Sequence, residues 1–175
     1  MVDVNQFKSK LKGGGARPNL FRVVLTFPLG IASASTMEKV AFLCKATHLP
    51  GENIGVVEVP YLGRQFKLAG DRTFEEWPLT IINDTDFDIK NAFERWHQIA
   101  NGHLANTGVN DPQTYMVDAV VQQLDRQHNV VKQYAMIDAW PSNVDSIDLS
   151  MDSNDSIEEF GVTMQYQWWG SDTTL

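Results

Sequence analysis

The stretch EFGVTMQYQW, residues 159–168, decides the fold. Apolar side chains occupy every second position, at Phe160, Val162, Met164, Tyr166 and Trp168, and polar residues or glycine lie between them. A period of two residues is that of a β-strand with one buried and one solvated face, the pattern typical of antiparallel sheets. The stretch therefore predicts a final strand whose five apolar side chains face a core.

Similar alternation upstream predicts further strands. They lie at residues 20–27, 40–46, 56–60, 65–69, 76–82, 117–124 and 130–138. In the second of these, Val40, Phe42, Cys44 and Ala46 are expected on one face. The turn at 61–64 joins the third and fourth strands into a hairpin, and the polar segments 28–38 and 103–114 read as loops.

One helix is predicted over about residues 86–101. Ile89, Phe93, Trp96 and Ala100 recur at intervals of three and four, which places them on one face of a helix. Thr85 is the expected N-cap, with Asp88 three residues later as in a capping box. Gly102 is expected to end the helix in a left-handed conformation.

About eight strands and one helix indicate a mainly β fold, an antiparallel sandwich or small barrel with the helix packed across it. The boundaries follow from composition. Residues 1–19, with Gly13–Gly15 and Pro18, are expected to form a flexible N-terminal arm, residues 20–169 a single β domain, and residues 170–175 a C-terminal tail.

Charge and cysteine content narrow the function. The 175 residues carry 14 Lys or Arg against 22 Asp or Glu, a net charge of −8. Tight nucleic-acid binders have the opposite balance, because they neutralise phosphates with clustered basic side chains. The single Cys44 excludes an intrachain disulfide framework and fits a reducing compartment. With neither a signal peptide nor a run of about 20 apolar residues, the chain is expected to be made in the cytosol, without membrane insertion.

The candidate chemical motifs have simpler structural interpretations. Asp84, Asp86 and Asp88 resemble the start of a calcium loop, but Ile89 and Arg95 stand where an EF-hand requires Gly and Glu. Carboxylates also stabilise a helix N-terminus without any metal. A second group of acidic residues lies in a segment with the composition of a turn; its members are Asp145, Asp148, Asp152 and Asp155. The four histidines lack the spacing of metal ligands; they are His48, His97, His103 and His128. No catalytic residue, metal site or cofactor is predicted.

Several short strings, in this order, resemble one family. They are ARPNLF (16–21), CKAT (44–47) with LP (49–50), AGDRTF (69–74) running to Trp77 and Asn83-Asp84, WP (140–141) with NV (143–144), and DSN (152–154). Together they resemble the tail tube proteins of contractile-tailed, T4-like bacteriophages, over about residues 16–169. The motif residues that carry the resemblance are Arg17, Pro18, Asn19, Gly70, Asp71, Arg72, Trp140 and Pro141.

The resemblance implies a structural virion protein and no enzyme. Family members form hexameric rings that stack into a hollow tube inside a contractile sheath, and viral DNA leaves through the lumen. The implied partners are further copies of the chain, the tail sheath protein, the baseplate proteins that initiate the tube and the tail terminator. Viral DNA passes through the lumen with only weak contact with the protein. The segment 53–71 is the expected counterpart of a hairpin that reaches the adjacent ring, with Tyr61, Leu62, Arg64 and Phe66 at its tip. The 28–38 loop is longer than the family leads us to expect.

Other hypotheses remain open at this point. The inner tubes of type VI secretion and related contractile injection systems share the implied fold. A monomeric β-sandwich binding module would use exposed aromatics such as Trp168 and Trp169. An enzyme would use Asp84, Asp86 and Asp88 with a divalent metal.

Overall fold

The computed structural model describes residues 3–104 and 107–174. Within these ranges it contains three α-helices and two short 3-10 turns. The helices are α1 (Val4–Lys10), α2 (Ala34–Leu43) and α3 (Asp88–Ala100), and the turns are Lys12–Gly14 and Pro112–Thr114. The prediction of a single helix is therefore wrong, because α1 and α2 were missed.

The strands number eleven in the described part of the chain. They are β1 (Phe21–Leu25), β2 (Cys44–Thr47), β3 (Glu52–Tyr61), β4 (Arg64–Phe74), β5 (Trp77–Ile82), β6 (Asn101–Gly102), β7 (Thr107–Gly108), β8 (Val117–Leu124), β9 (Val130–Val144), β10 (Glu159–Gln165) and β11 (Trp168–Ser171). All pairings are antiparallel. The mainly β, antiparallel prediction is confirmed.

The long strand β9 organises the body of the protein. Hydrogen-bonded neighbours follow the order β1-β8-β9-β10-β5-β2, and β11 also pairs with β9. The first part of β9 pairs with β8 and β11, whereas the part from Trp140 onward pairs with β10. Asp138, at φ 55, lies at a register shift in the β8-paired part, two residues before the pairing with β10 begins. One strand thus joins two sheet regions whose buried side chains form one core.

The centre of the core is the β5–β10 pair. Phe160 lies opposite Ile81, Val162 opposite Leu79, and Met164 opposite Trp77. These six side chains are at most 2% exposed. Directly opposed residues of antiparallel strands share one face, so the alternation at 76–82 and at 159–165 was interpreted correctly.

The final strand is interrupted after Gln165. Tyr166 is still buried, but β11 begins at Trp168 and pairs with β9, so Trp168 is 42% exposed instead of facing the core. The new strand continues to Ser171, two residues into the predicted tail.

Helix α3 covers the core, as predicted. Ile89, Ala92, Phe93 and Trp96 are buried on it, and the Phe93 and Trp96 rings stack with centroids 6.1 Å apart. The end signals were wrong. Phe87, in a left-handed conformation and without a side-chain cap, precedes the helix instead of Thr85, and Gly102 is a residue of β6.

Helix α2 replaces most of the strand predicted at 40–46. Ser33 caps it by accepting a hydrogen bond from the Thr36 N–H at 3.2 Å. Val40 is fully buried, but Phe42 is 78% exposed, so these two side chains do not share a face. Only from Cys44 onward does the chain become a strand, and the predicted 28–38 loop is therefore shorter than expected.

The N-terminal arm contains the helix α1, which is capped by Asp3 and has no buried residue. No helix in the described ranges is long and apolar enough to cross a membrane.

Candidate functional site: the β3–β4 hairpin

The β3–β4 hairpin forms its own two-stranded sheet. Its strands are 10 and 11 residues long, which corresponds to about 30 Å at 3.4 Å per residue. In the described part of the chain, β3 and β4 contact each other extensively and the other helices and strands only slightly. An isolated two-stranded hairpin is marginally stable in water, so a ribbon of this length needs a further surface to pack on.

The turn at the tip is a two-residue loop. Tyr61 pairs with Arg64, and the residues between them, Leu62 and Gly63, have φ angles of 46° and 79°. Two positive φ angles are the signature of a type I′ turn, in which Asn-Gly is the usual sequence. A leucine in this conformation costs about 1–2 kcal/mol, and here its side chain is 86% exposed. Backbone strain combined with an exposed apolar side chain is a reason to look for a function at the tip.

One face of the ribbon is apolar. The register places Val57 opposite Leu68 and Val59 opposite Phe66, with Tyr61 next along the same face. We call these five residues the apolar face. They are between 42% and 71% exposed. The sequence analysis found Tyr61 and Phe66 but missed Val57, Val59 and Leu68, although the pairing across the turn would have placed all five together.

The opposite face of the outer ribbon is more polar. Glu58 lies across from Lys67, with 3.5 Å between the carboxylate and ammonium, and Pro60 lies across from Gln65. We call these four residues the charged face. The ribbon is thus amphipathic, like a sheet that rests on a core, but residues 3–104 and 107–174 place no core beneath the apolar face.

A β-bulge divides the ribbon into an outer part and a base. Gly55 lies opposite two residues, Gly70 and Asp71, because the register shifts between Ile54 and Val56. A Cβ at Gly70 would lie 3.1 Å from the carbonyl oxygen of Gly55 and 3.2 Å from Val57 Cγ2. Bulges bend and twist a strand pair, so this one sets the direction of the outer ribbon.

The base is fixed to the body. Phe74 packs on Tyr166 with ring centroids 6.2 Å apart, and Trp169 Nε1 donates a hydrogen bond to the Gly51 carbonyl at 3.2 Å. Arg72 pairs with Glu52 at 3.2 Å across the ribbon. The base is therefore held in place while the apolar face stays exposed.

Comparison with known proteins agrees with this architecture. A profile described as phage tail tube protein matches residues 16–171. The tail tube protein of Serratia phage KSP90 is 34% identical over 168 residues, covering 95% of each chain. The tail tube protein gp19 of Enterobacteria phage T4 is 35% identical over 158 residues, covering 90% of this chain and 92% of the relative.

The chain belongs to the phage tail tube protein family. The resemblance inferred from the short strings is thereby confirmed. The fold extends to solved structures with little sequence similarity. A chain of the anti-feeding prophage baseplate superimposes with a TM-score of 0.65 at 13% identity, over 89% of this chain and 94% of that one. A chain of the sheath-tube complex of the extracellular contractile injection system PVC has a TM-score of 0.61 at 12% identity, over 98% and 99%.

In this tail tube protein, the residues of the family motif that lie outside the hairpin connect different elements of the body. The Arg17 carbonyl accepts a hydrogen bond from Gln123 Nε2 at 2.6 Å, which attaches the arm to β8 just before Pro18 and Asn19. Trp140 packs edge-on against Tyr115, with ring centroids 6.3 Å apart. The Pro141 carbonyl lies 3.2 Å from His97 Nε2 of α3. Only Gly70, Asp71 and Arg72 of the motif belong to the hairpin.

The three aspartates considered for metal binding do lie together, and a lysine contacts all of them. Lys39 Nζ on α2 is 2.8 Å from Asp84, 2.7 Å from Asp88 and 3.5 Å from Asp86. Hydrogen bonds to Asp84 and Asp88 raise the pKa of Lys39 above its usual range, and the bond from Lys39 holds the pKa of Asp84 below its own. The ammonium takes the position that a cation would need, so the cluster links α2 to the start of α3. Sequence analysis missed Lys39 because this residue lies between the predicted 28–38 loop and the predicted 40–46 strand, where α2 was not recognised.

Trp168 and Trp169, considered for a binding module, lie at the hairpin base. With Glu52, Arg72 and Phe74 they line a cavity of about 300 Å³. The Trp169 ring packs edge-on against Tyr134, with centroids 5.2 Å apart. Through these contacts, both tryptophans connect the base of the hairpin to the body.

Proposed function

We propose that this chain is the structural subunit of the inner tube of a contractile phage tail. Copies form hexameric rings, and the rings stack into a hollow tube through which viral DNA leaves the virion. The proposal is carried by the apolar face of the hairpin, because this family member presents an ordered apolar ribbon that its own chain leaves exposed. Tyr61, Leu62, Arg64 and Phe66 at the tip then contact the adjacent ring.

The edges of the sheet support ring formation. Strands β1 and β2 end the hydrogen-bonded order of the described strands, so each has one paired edge and one open edge. Open edges are aggregation hazards, and pairing between copies around a closed ring removes them.

The net charge supports passage of DNA. At −8 per subunit, a tube wall offers few of the basic groups that would hold phosphates. Weak contact with the wall suits a conduit.

The remaining partners follow from the proposed place in the tail. They are the tail sheath protein, the baseplate proteins that initiate the tube and the tail terminator. Two solved structures with a similar fold come from a baseplate and from a sheath-tube complex, which supports this set. The subunit is made in the host cytoplasm and resides in the virion, with no catalytic role.

A charge placed on the apolar face tests the proposal. We expect Phe66→Asp to leave the monomer folded and to abolish stacked tubes, because a carboxylate buried between copies without a partner costs several kcal/mol. Gln65→Asp is the matched control, since it adds the same charge one residue away on the charged face. The readouts are circular dichroism for folding and negative-stain electron microscopy of concentrated protein, nucleated with a tube-initiating baseplate assembly where needed.

Tubes that form equally well from both variants would contradict the assignment of the apolar face. A wild-type chain that stays monomeric even with the baseplate assembly present, and binds a ligand saturably, would instead favour the binding module.

A further inference from the structure

Helix α1 exposes an apolar stripe on a basic arm. Val4 and Phe7 are three residues apart on one side of the helix, and Leu11, the C-cap residue, follows four residues later. They are 64%, 61% and 45% exposed. Residues 3–17 carry four Lys or Arg and one Asp, a net charge of +3 in a chain whose total is −8. An exposed basic amphipathic helix lacks the packing that stabilises short helices in proteins, and a partner surface would supply it.

The segment between β9 and β10 has the complementary character. We call residues 145–158 the acidic loop. It contains five carboxylates and neither Lys nor Arg. Within the described ranges, no lysine or arginine forms an ion pair with Asp148, Asp152 or Asp155.

The acidic loop also exposes apolar side chains. Leu149 is 84% exposed, Met151 97% and Ile157 71%. Leu149 and Ile157, together with Asp148, line a cavity of about 360 Å³. The rest of the cavity lining is mainly serine and carboxylate side chains. Exposed apolar side chains set among carboxylates complement a basic helix that exposes its own apolar stripe.

We propose that α1 of one copy docks on the acidic loop of a second copy of this chain. Phe7 packs against the exposed side chains of Leu149 and Ile157, and Lys8 and Lys10 pair with the carboxylates of the acidic loop. The contact adds a second surface to the assembly, separate from the hairpin.

The two surfaces lie at opposite ends of β9, which favours a second copy as the partner. The root of the arm borders the start of this strand, because Gly15 and Arg17 line one cavity with Arg126 and Val131. The acidic loop follows its last residue, Val144. A contact between different surfaces of two copies is heterologous, and it propagates from copy to copy around a ring or along a stack. The inference rests on the proposed function in so far as both require self-association.

Disulfide trapping between separate chains tests the contact. Phe7→Cys is mixed with Leu149→Cys, and in parallel with Phe42→Cys, whose position on α2 is similarly exposed at 78%. Burial raises the pKa of the native Cys44 thiol to about 12, so it does not compete. We expect the heterodimer with Leu149→Cys to form about fivefold faster than the control or more, because complementary charges accelerate encounter.

The charges provide a second measurement. Lys8→Glu with Lys10→Glu should reduce the trapping rate to that of the control, and Asp148→Lys with Asp152→Lys in the other chain should restore it. Raising the salt concentration to about 0.5 M should slow trapping of the unreversed pair, since salt screens exposed charges.

Performing the experiment in the Phe66→Asp background separates the two proposals. Trapping that persists there reports the arm contact even if ring stacking through the hairpin is wrong. Equal rates for Leu149→Cys and Phe42→Cys would overturn the inference. So would a Phe7→Cys, Leu149→Cys double variant that closes only within its own chain at every protein concentration.

Discussion

The β5–β10 pair and the β3–β4 hairpin are built from similar side chains and have opposite environments. Both are antiparallel and rich in aromatic and β-branched residues. In the first pair the core-facing side chains are at most 2% exposed, whereas the apolar face of the hairpin is 42% to 71% exposed. The difference shows that an alternating pattern specifies a face but not the molecule that covers it. The body is covered by its own chain, whereas the proposed function requires another copy to cover the hairpin.

The largest expected effect comes from the body. Trp96 is fully buried and its Nε1 donates to the Tyr115 carbonyl at 2.6 Å. We expect Trp96→Ala to lower the free energy of unfolding of the monomer by about 3–5 kcal/mol, the usual cost of emptying a large aromatic site. Phe66→Ala should change the same quantity by about 0.5 kcal/mol or less, as is usual at exposed positions. Urea unfolding monitored by circular dichroism measures both, and equal losses would mean that the hairpin is covered in the monomer.

The bulge gives a smaller, local effect. A Cβ at Gly70 approaches the Gly55 carbonyl oxygen to 3.1 Å, whereas a Cβ at Gly55 meets its nearest neighbour, the Asp71 carbonyl oxygen, at an ordinary 3.4 Å. We expect Gly70→Ala to destabilise the ribbon by about 1–2 kcal/mol through overpacking and Gly55→Ala to cost less. Faster hydrogen exchange confined to the hairpin amides would report the change, and exchange that spreads into β5 and β10 would contradict a locally independent ribbon.

At the tip, monomer stability and assembly should change in opposite directions. Leu62→Asn relieves the left-handed backbone strain, so the free energy of opening for hydrogen exchange at the hairpin amides should rise by about 1 kcal/mol. Tube formation should require a higher protein concentration, because the proposed contact with the next ring loses the leucine side chain. Dilution series examined by light scattering test the second half, and Leu62→Asn subunits that assemble at the same concentration as the wild type would exclude a role for this side chain.

The smallest effect belongs to the Lys39 cluster, which is partly exposed. Because the folded-state pKa of Asp84 is lowered, its contribution to stability is present above the ordinary aspartate pKa and is lost as the pH falls through the lowered value. The folded-state pKa of Lys39 is raised, so the contribution of Lys39 to stability is fully present below the ordinary lysine pKa. It is lost only as the pH rises through the raised value. Lys39→Met should therefore lower the melting temperature near pH 7 slightly and have less effect near pH 3. A pH-independent difference would indicate that the methionine changes packing instead.

Much of the body could be predicted because its signals are local and strong. The alternation in β5 and β10 and the apolar stripe of α3 identified the core directly. Helix α2 was missed because Val40, Phe42 and Cys44 satisfy a period of two by coincidence. Its actual signal was Ser33, an N-cap residue followed by a segment without Gly or Pro. The stripe Val4, Phe7 and Leu11 was likewise present in the sequence but unused.

The environment of the hairpin could not be predicted from its residues. Val57, Val59 and Phe66 would alternate in the same way if the ribbon lay on its own domain. Only the three-dimensional structure shows that these side chains stay exposed in the part of the chain that it describes. The same holds for Lys39, whose three partners are about 45 residues away and meet it only after folding.

The charged face of the hairpin has a consequence for solubility before assembly. A long exposed ribbon with an apolar face is the type of segment that seeds cross-β aggregates, in which flat strands add indefinitely. Pro60 withholds one backbone donor, and a second ribbon stacked face to face in a cross-β array would have to bury the Glu58–Lys67 pair. These residues allow one face of the ribbon to be buried and make burial of both faces unfavourable. Concentrated subunits are therefore expected to stay in solution until a tube assembles.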